Sequence, residues 1–216
     1  MHVKLYNLEH SPYATRVRMQ IYKKGLDLEI LPPPEALRTP EFMARFPMGK
    51  IPVLELDDGR QIPDSWVIME YLEDCQAGEP LRPDDLFERA SMRVLARYAD
   101  TCLSPAALFP MFSQVGSAGD AEVATGLLAG LDEELARLQR ILVAQGSCRG
   151  RRLHLGDISL APHLAYVQML APMFGREQPL GQYPAVLEWW QWVGEDSAIA
   201  RGNGEMLEAV KAFFGG

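Results

Sequence analysis

The chain has 216 residues, 48% of them hydrophobic and 23% charged, with a formal net charge of -8. That length can bury a core as one or two domains, and the composition is that of an ordinary globular protein. The acidic balance argues against nucleic acid and anionic membranes as partners, since the best basic candidate, Arg149-Gly150-Arg151-Arg152, is short and reads as a solvated loop.

The first third alternates strand and helix signals. His2 to Asn7 reads as a strand with Val3 and Leu5 on one face. Ser11-Pro12 then opens a helix, with Ser11 as N-cap and Pro12 at the first helical position, where a missing N–H does no harm. Val17, Ile21 and Tyr22 form its apolar stripe, and Lys23, Lys24 and Gly25 mark its end. Leu26 to Leu31 is a second strand, broken by Pro32-Pro33-Pro34, and a short helix follows. Pro52 to Leu56 and Arg60 to Ile62 flank the turn Asp57-Asp58-Gly59 as a hairpin. A helix from about Ser65 to Cys75 completes a β-α-β-α-β-β-α order, which predicts a small mixed sheet covered by helices.

Ala77 to Asp85 is rich in Pro, Gly and acids and reads as a linker. Beyond it strand signals nearly vanish. Helical periodicity runs through Phe87 to Phe112, Glu122 to Ala144, Leu155 to Met173 and Ala185 to Gly194, with Pro105 and Pro110 ending or kinking the first of these. The expected division is therefore residues 1–76 as an α/β domain, 77–86 as linker and 87–216 as an all-helical domain.

Cys75, Cys102 and Cys148 form no CxxC, and neither they nor His2, His10, His154 and His163 show metal-ligand spacing. No metal and a reducing compartment are expected. MHVKLYN reads as a strand and not as a signal peptide, and no stretch approaches the roughly 18 apolar residues of a membrane span, so a cytoplasmic protein is expected. The phosphate-binding patterns GxGxxG and GxxxxGK, and the hydrolase patterns GxSxG and HExxH, are absent.

Three places can carry chemistry. Ser11 stands where unpaired helix N–H groups and the dipole favour negative charge, so its hydroxyl either caps the helix or also holds a thiolate. Lowering a thiol of pKa about 8.5 by roughly two units takes about 2.7 kcal/mol of preference for the anion. Ile51-Pro52 opens a strand; if that peptide is cis, the Ile51 backbone faces outward to pair with an extended peptide. Asp64-Ser65 opens a helix and either caps it or grips the ammonium and carboxylate of one α-amino acid end.

In this order, the motifs Ser11-Pro12-Tyr13-Ala14-Thr15-Arg16-Val17-Arg18, Pro47-Met48-Gly49-Lys50-Ile51-Pro52-Val53-Leu54 and Asp64-Ser65-Trp66-Val67-Ile68-Met69-Glu70-Tyr71-Leu72 resemble the glutathione transferase family, in its bacterial serine-type form. The resemblance implies a thioredoxin-like N-terminal domain followed by an all-helical C-terminal domain, with glutathione as co-substrate and a homodimer. It implies that Ser11 activates the glutathione thiol, with Tyr6 as the alternative; His10 adjoins it and either tunes it or, more plainly, is an exposed loop histidine. Ile51 beside cis-Pro52 would bind the cysteinyl backbone, Asp64 and Ser65 the γ-glutamyl end, and Lys50 the glycine carboxylate. Tyr13, Tyr98, Leu103, Leu108, Phe109, Met111 and Phe112 would line a pocket for a small hydrophobic electrophile, or be plain core. Asp100 would meet the γ-glutamyl amine across a dimer, or be a solvated acid.

Leu153 to Pro162 is similar to the family's helix-start motif in the second domain, with Asp157 at N3, Leu153 and Ile158 as a hydrophobic staple, and His154 in place of the usual hydroxyl cap. Serine before Pro12 disfavours a mixed disulfide with glutathione, and the missing Ser-Ser-Cys motif disfavours a maleylacetoacetate-type isomerase. The competing reading is a non-catalytic adaptor on the same fold, which the retained Ser11, Ile51-Pro52 and Asp64-Ser65 oppose.

Overall fold

The structure is a computed structural model that describes residues 3–75 and 78–215. His2, at the expected start of the first strand, and Ala77, at the start of the expected linker, lie outside the described residues. By contacts the chain divides into two units, residues 1–81 with 201–216, and residues 82–200. The expected division gave the whole C-terminal end to the helical part; by contacts residues 201–216, most of the last helix, group with the first unit.

The first unit follows the order β-α-β-α-β-β-α: β1 (Lys4–Tyr6), α1 (Pro12–Lys24), β2 (Glu29–Leu31), α2 (Pro40–Arg45), β3 (Val53–Glu55), β4 (Gln61–Pro63) and α3 (Ser65–Asp74). The sheet order is β2-β1-β3-β4, with β1 parallel to β2 and the other pairs antiparallel. Each strand is only three residues, shorter than the periodicity suggested. Alternation sends Tyr6 and Val53 to one face, where they pack with Phe42 and Phe46 from the α2 region. Leu5 and Leu54 lie on the other face, fully buried. The cap signals act as expected: Ser11 Oγ accepts from the Ala14 amide at 3.3 Å, and Gly25 closes α1 in the left-handed conformation at φ 61°.

Three basic side chains of α1 are buried and all are compensated. Arg16 donates to Ser65, Arg18 pairs with Glu9 and Glu205, and Lys24 pairs with Glu73 at 2.8 Å and donates to the Glu79 carbonyl. Glu205 belongs to the last helix, α9 (Ser197–Gly215), and also accepts from the Tyr22 hydroxyl at 2.8 Å. These contacts tie the chain end to this unit: α9 adds a second carboxylate to the buried Arg18 guanidinium and an acceptor for Tyr22.

The second unit holds α4 (Leu86–Tyr98), α5 (Phe109–Ser113), α6 (Ala121–Gln145), α7 (Leu155–Leu170) and α8 (Pro184–Gly194). The first helix does not simply break at Pro105: from Ala99 to Leu108 it widens into a π-helical run with Pro105 inside it. Pro110 sits in the first turn of α5, where proline is tolerated. Gly156 lets α7 lie against α4; a Cβ there would stand 2.3 Å from the Met92 carbonyl oxygen. Among the described residues no helix is long and apolar enough to cross a membrane.

The start of α7 is a full capping box. His154 Nδ1 accepts from the Asp157 amide at 3.3 Å and Asp157 accepts from the His154 amide at 3.0 Å. Arg151 adds a bidentate fork at 2.6 and 2.8 Å, and Trp189 Nε1 donates at 2.8 Å. Arg151 is therefore no solvated loop residue; it is half-buried over the Trp192 ring and serves Asp157. Burial opposes the charge on Asp157, but the Arg151 guanidinium, with the His154 amide and Trp189 donating beside it, holds its carboxyl well below the usual carboxylate range. A depressed carboxyl stabilises the fold above the unfolded value near pH 4, and that contribution is lost as pH falls below it. Asp157→Ala should cost about 3 kcal/mol or more by stranding buried donors, and Asp157→Asn should flatten the stability profile below about pH 4; urea unfolding across pH checks both.

Candidate functional site

Strand register gathers the three motifs at one end of the sheet. Tyr6 pairs with Val53, and Val53 pairs with Pro63, so β1 ends, β3 begins and β4 ends along one row. The row spans adjacent strands about 4.8 Å apart. The segment leading to Ser11 leaves from Tyr6, Ile51-Pro52 enters at Val53, and Asp64-Ser65 leaves from Pro63. Residues separated by up to 54 positions are thereby neighbours by topology.

Ser11 is the half-buried N-cap of α1. Its Oγ accepts the Ala14 amide, which leaves the hydroxyl proton uncommitted by that bond. The loop before it is fixed by Arg18, which pairs with the Glu9 carboxylate and donates to the Glu9 carbonyl at 2.8 Å. His10 is not an exposed loop histidine. It is half-buried and stacks on Phe213 of α9, centroids 5.0 Å apart, and desolvation lowers its pKa and favours the neutral ring. Tyr6 lies elsewhere: its ring is in the core with Phe42 and Phe46, and its hydroxyl accepts from Arg45 at 2.6 Å and donates to Glu55 at 3.3 Å.

The Ile51-Pro52 peptide is cis, and Gly49 just before it has φ 62°. No hydrogen bond joins the Ile51 backbone to another described residue, so its N–H and C=O are available to an extended ligand. Lys50 is exposed beside it.

Asp64 is an exposed N-cap at φ 72°, unusual for a residue other than glycine. Its Oδ1 accepts the amides of Trp66 at 2.9 Å and Val67 at 3.1 Å. Two of the amides expected to face a ligand are thus already taken, and Ser65 offers what remains. Ser65 is 3% exposed, and its Oγ accepts from Arg16 Nε at 3.0 Å and Nη2 at 2.5 Å.

The expected electrophile residues divide between the two units. Tyr13 is half-buried in the first unit, with the Arg16 guanidinium 5.2 Å from its ring centroid. The others belong to the second unit. Tyr98 and Leu108 are core residues there, as are Leu103 and Met111, and the Tyr98 hydroxyl donates to the Glu134 carbonyl at 2.8 Å; they pack inward and are not an open wall. Phe109 is exposed, and Phe112 meets Tyr166 edge-on at 6.0 Å. Asp100 accepts from Arg97 at 3.5 Å. Arg16 is the arginine of the Ser-Pro-x-x-x-Arg pattern, but nothing in the sequence pairs it with Ser65, and nothing in the periodicity marks Phe213.

Residues 5–80 match the glutathione S-transferase N-terminal domain model. The chain is 30% identical over 170 residues to maleylacetoacetate isomerase of Pseudomonas aeruginosa, covering 75% of this chain and 80% of that one. A solved glutathione S-transferase from Rhodospirillum rubrum F11 superposes with a TM-score of 0.73 at 27% identity, covering 91% of this chain and 90% of that one. Another, from Methylobacillus flagellatus with glutathione bound, gives a TM-score of 0.71 at 25% identity, covering 93% and 98%.

Asp64→Ala should destabilise the first unit by about 1 kcal/mol through loss of the cap. Asp64→Asn should be near neutral, since asparagine caps as well and tolerates positive φ; urea midpoints of the two variants check the difference.

Proposed function

The chain belongs to the glutathione S-transferase family, and from that premise we propose that it binds reduced glutathione, holds its sulfur as a thiolate with Ser11, and transfers it to a small hydrophobic electrophile. The observation that carries this reading is the row Tyr6-Val53-Pro63, from which all three motifs depart. The cysteinyl backbone pairs with Ile51, as a strand added to the sheet. The γ-glutamyl ammonium meets Asp64 and the carboxylate meets Ser65, and Lys50 serves the glycine carboxylate. The sulfur then lies by the start of α1, where the dipole and the Ser11 O–H favour the anion. The gain in rate comes from a larger thiolate fraction and from holding both reactants together. The reading includes the dimer and cytoplasmic setting usual for the family.

The likeness to a maleylacetoacetate isomerase favours a second reading, despite the missing Ser-Ser-Cys motif. Isomerisation starts with the same thiolate, which adds to an alkene carbon; the resulting single bond rotates, and the thiolate is then expelled. Both readings use one glutathione site and differ only in the fate of the adduct.

Ser11→Ala should lower turnover about 100-fold or more with a chlorodinitrobenzene while changing the glutathione Kd less than about threefold. A bound thiol whose ultraviolet thiolate band is unaltered by the substitution would reject Ser11 as the activator. Asp64→Asn should weaken glutathione about tenfold with stability intact, because it removes the charge that faces the ammonium; titration calorimetry measures it. Conversion of maleylacetone without net consumption of glutathione would select the isomerase reading.

A further inference from the structure

We propose that Arg16 is a positioning residue for the carboxylate end of the ligand, because its buried guanidinium makes the Ser65 hydroxyl an obligate hydrogen-bond donor. This rests on the glutathione reading above. Arg16 is 1% exposed and donates twice to Ser65 Oγ, at 3.0 Å from Nε and 2.5 Å from Nη2. A guanidinium has no acceptor and keeps its proton, so Ser65 must accept both bonds. A hydroxyl has two lone pairs and one proton. Both lone pairs are spent on Arg16, and the remaining O–H has to point away from it.

The rest of the helix start makes that proton matter. Asp64 Oδ1 has taken the Trp66 and Val67 amides. An arriving anion therefore finds the Ser65 hydroxyl and its own amide at the first turn of α3. An oxygen that accepts from a cation is a stronger donor, and the buried charge of Arg16 adds to the positive end of the helix dipole. The contact of the guanidinium with the Tyr13 ring, 5.2 Å from its centroid, limits how the fork can turn. Lysine could supply the charge but not two coplanar N–H groups on one oxygen.

The test compares glutathione with γ-aminobutyryl-cysteinyl-glycine, which lacks the γ-glutamyl carboxylate and keeps the amine. The wild-type protein should bind glutathione about tenfold or more tightly than the analogue. Arg16→Lys should erase most of that ratio by weakening glutathione alone, raising its KM far more than it lowers kcat. An Arg16→Lys protein that keeps the wild-type ratio overturns the proposal. Because a buried arginine can be needed for folding, the unmodified protein gives a second readout: in an arginine-selective NMR spectrum, the Arg16 Nε–H signal should move on adding glutathione and stay put with the analogue. An equal response to both ligands, or none to either when both bind, also overturns it. Wild-type protein that binds both ligands equally sinks this inference and leaves the glutathione reading standing; protein that binds neither sinks that reading itself.

Discussion

The first unit depends on the pairing of three very short strands. With only three residues each, the register of β1, β3 and β4 cannot be held by ladder hydrogen bonds alone. It is held from both faces: Tyr6 and Val53 pack against Phe42 and Phe46, and Leu5 and Leu54 are buried on the other side. A slip of one residue would exchange these sets between faces. It would also shift the points at which the chain leaves the sheet toward Ser11 and Asp64 and enters it from Ile51. Packing of four apolar side chains on one face and of Leu5 and Leu54 on the other thus decides whether the motifs share one end of the sheet.

Around that frame, α1 acts as a hub of buried positive charge. Arg16, Arg18 and Lys24 lie along one helix, and each is satisfied by a different part of the unit: the start of α3, the Glu9 loop with α9, and the end of α3 with the segment after it. Buried ion pairs contribute little net stability, because desolvation offsets most of the attraction. What they do is select partners, since any arrangement that leaves one of these cations unpaired is heavily penalised. That selectivity explains how the α1 and α3 starts keep a fixed relation, and why the last helix joins the first unit.

The helical unit repeats this logic with a negative charge. Asp157 is buried and collects donors from a loop arginine, a helix-start backbone and a tryptophan of another helix. A histidine cap suffices there because Asp157, not His154, is the centre of the network. The adjoining π-helical run at Pro105 shows a related accommodation: a missing N–H is absorbed by wider turns, without ending the rod.

Much of this was legible in the chain. Ser11-Pro12, Asp57-Asp58-Gly59 and Gly25 are local signals whose effect is set by backbone sterics and nearby hydrogen bonds, so the order of elements and the helix starts followed from the sequence. The residues of the proposed site stood out only through the resemblance, since each by itself reads as a helix cap or an ordinary proline. Other features were out of reach because they join distant segments. That Tyr6 turns its hydroxyl to Arg45 and Glu55, that Tyr98 and Leu108 are core, that Arg151 serves Asp157, and that Phe213 stacks on His10 are outcomes of packing between residues up to 203 positions apart. Sequence alone determined where each helix could start and which side chains could donate or accept there; only the tertiary structure decided which of those groups are already spent on one another, because a hydrogen bond used inside the fold is no longer available to a ligand.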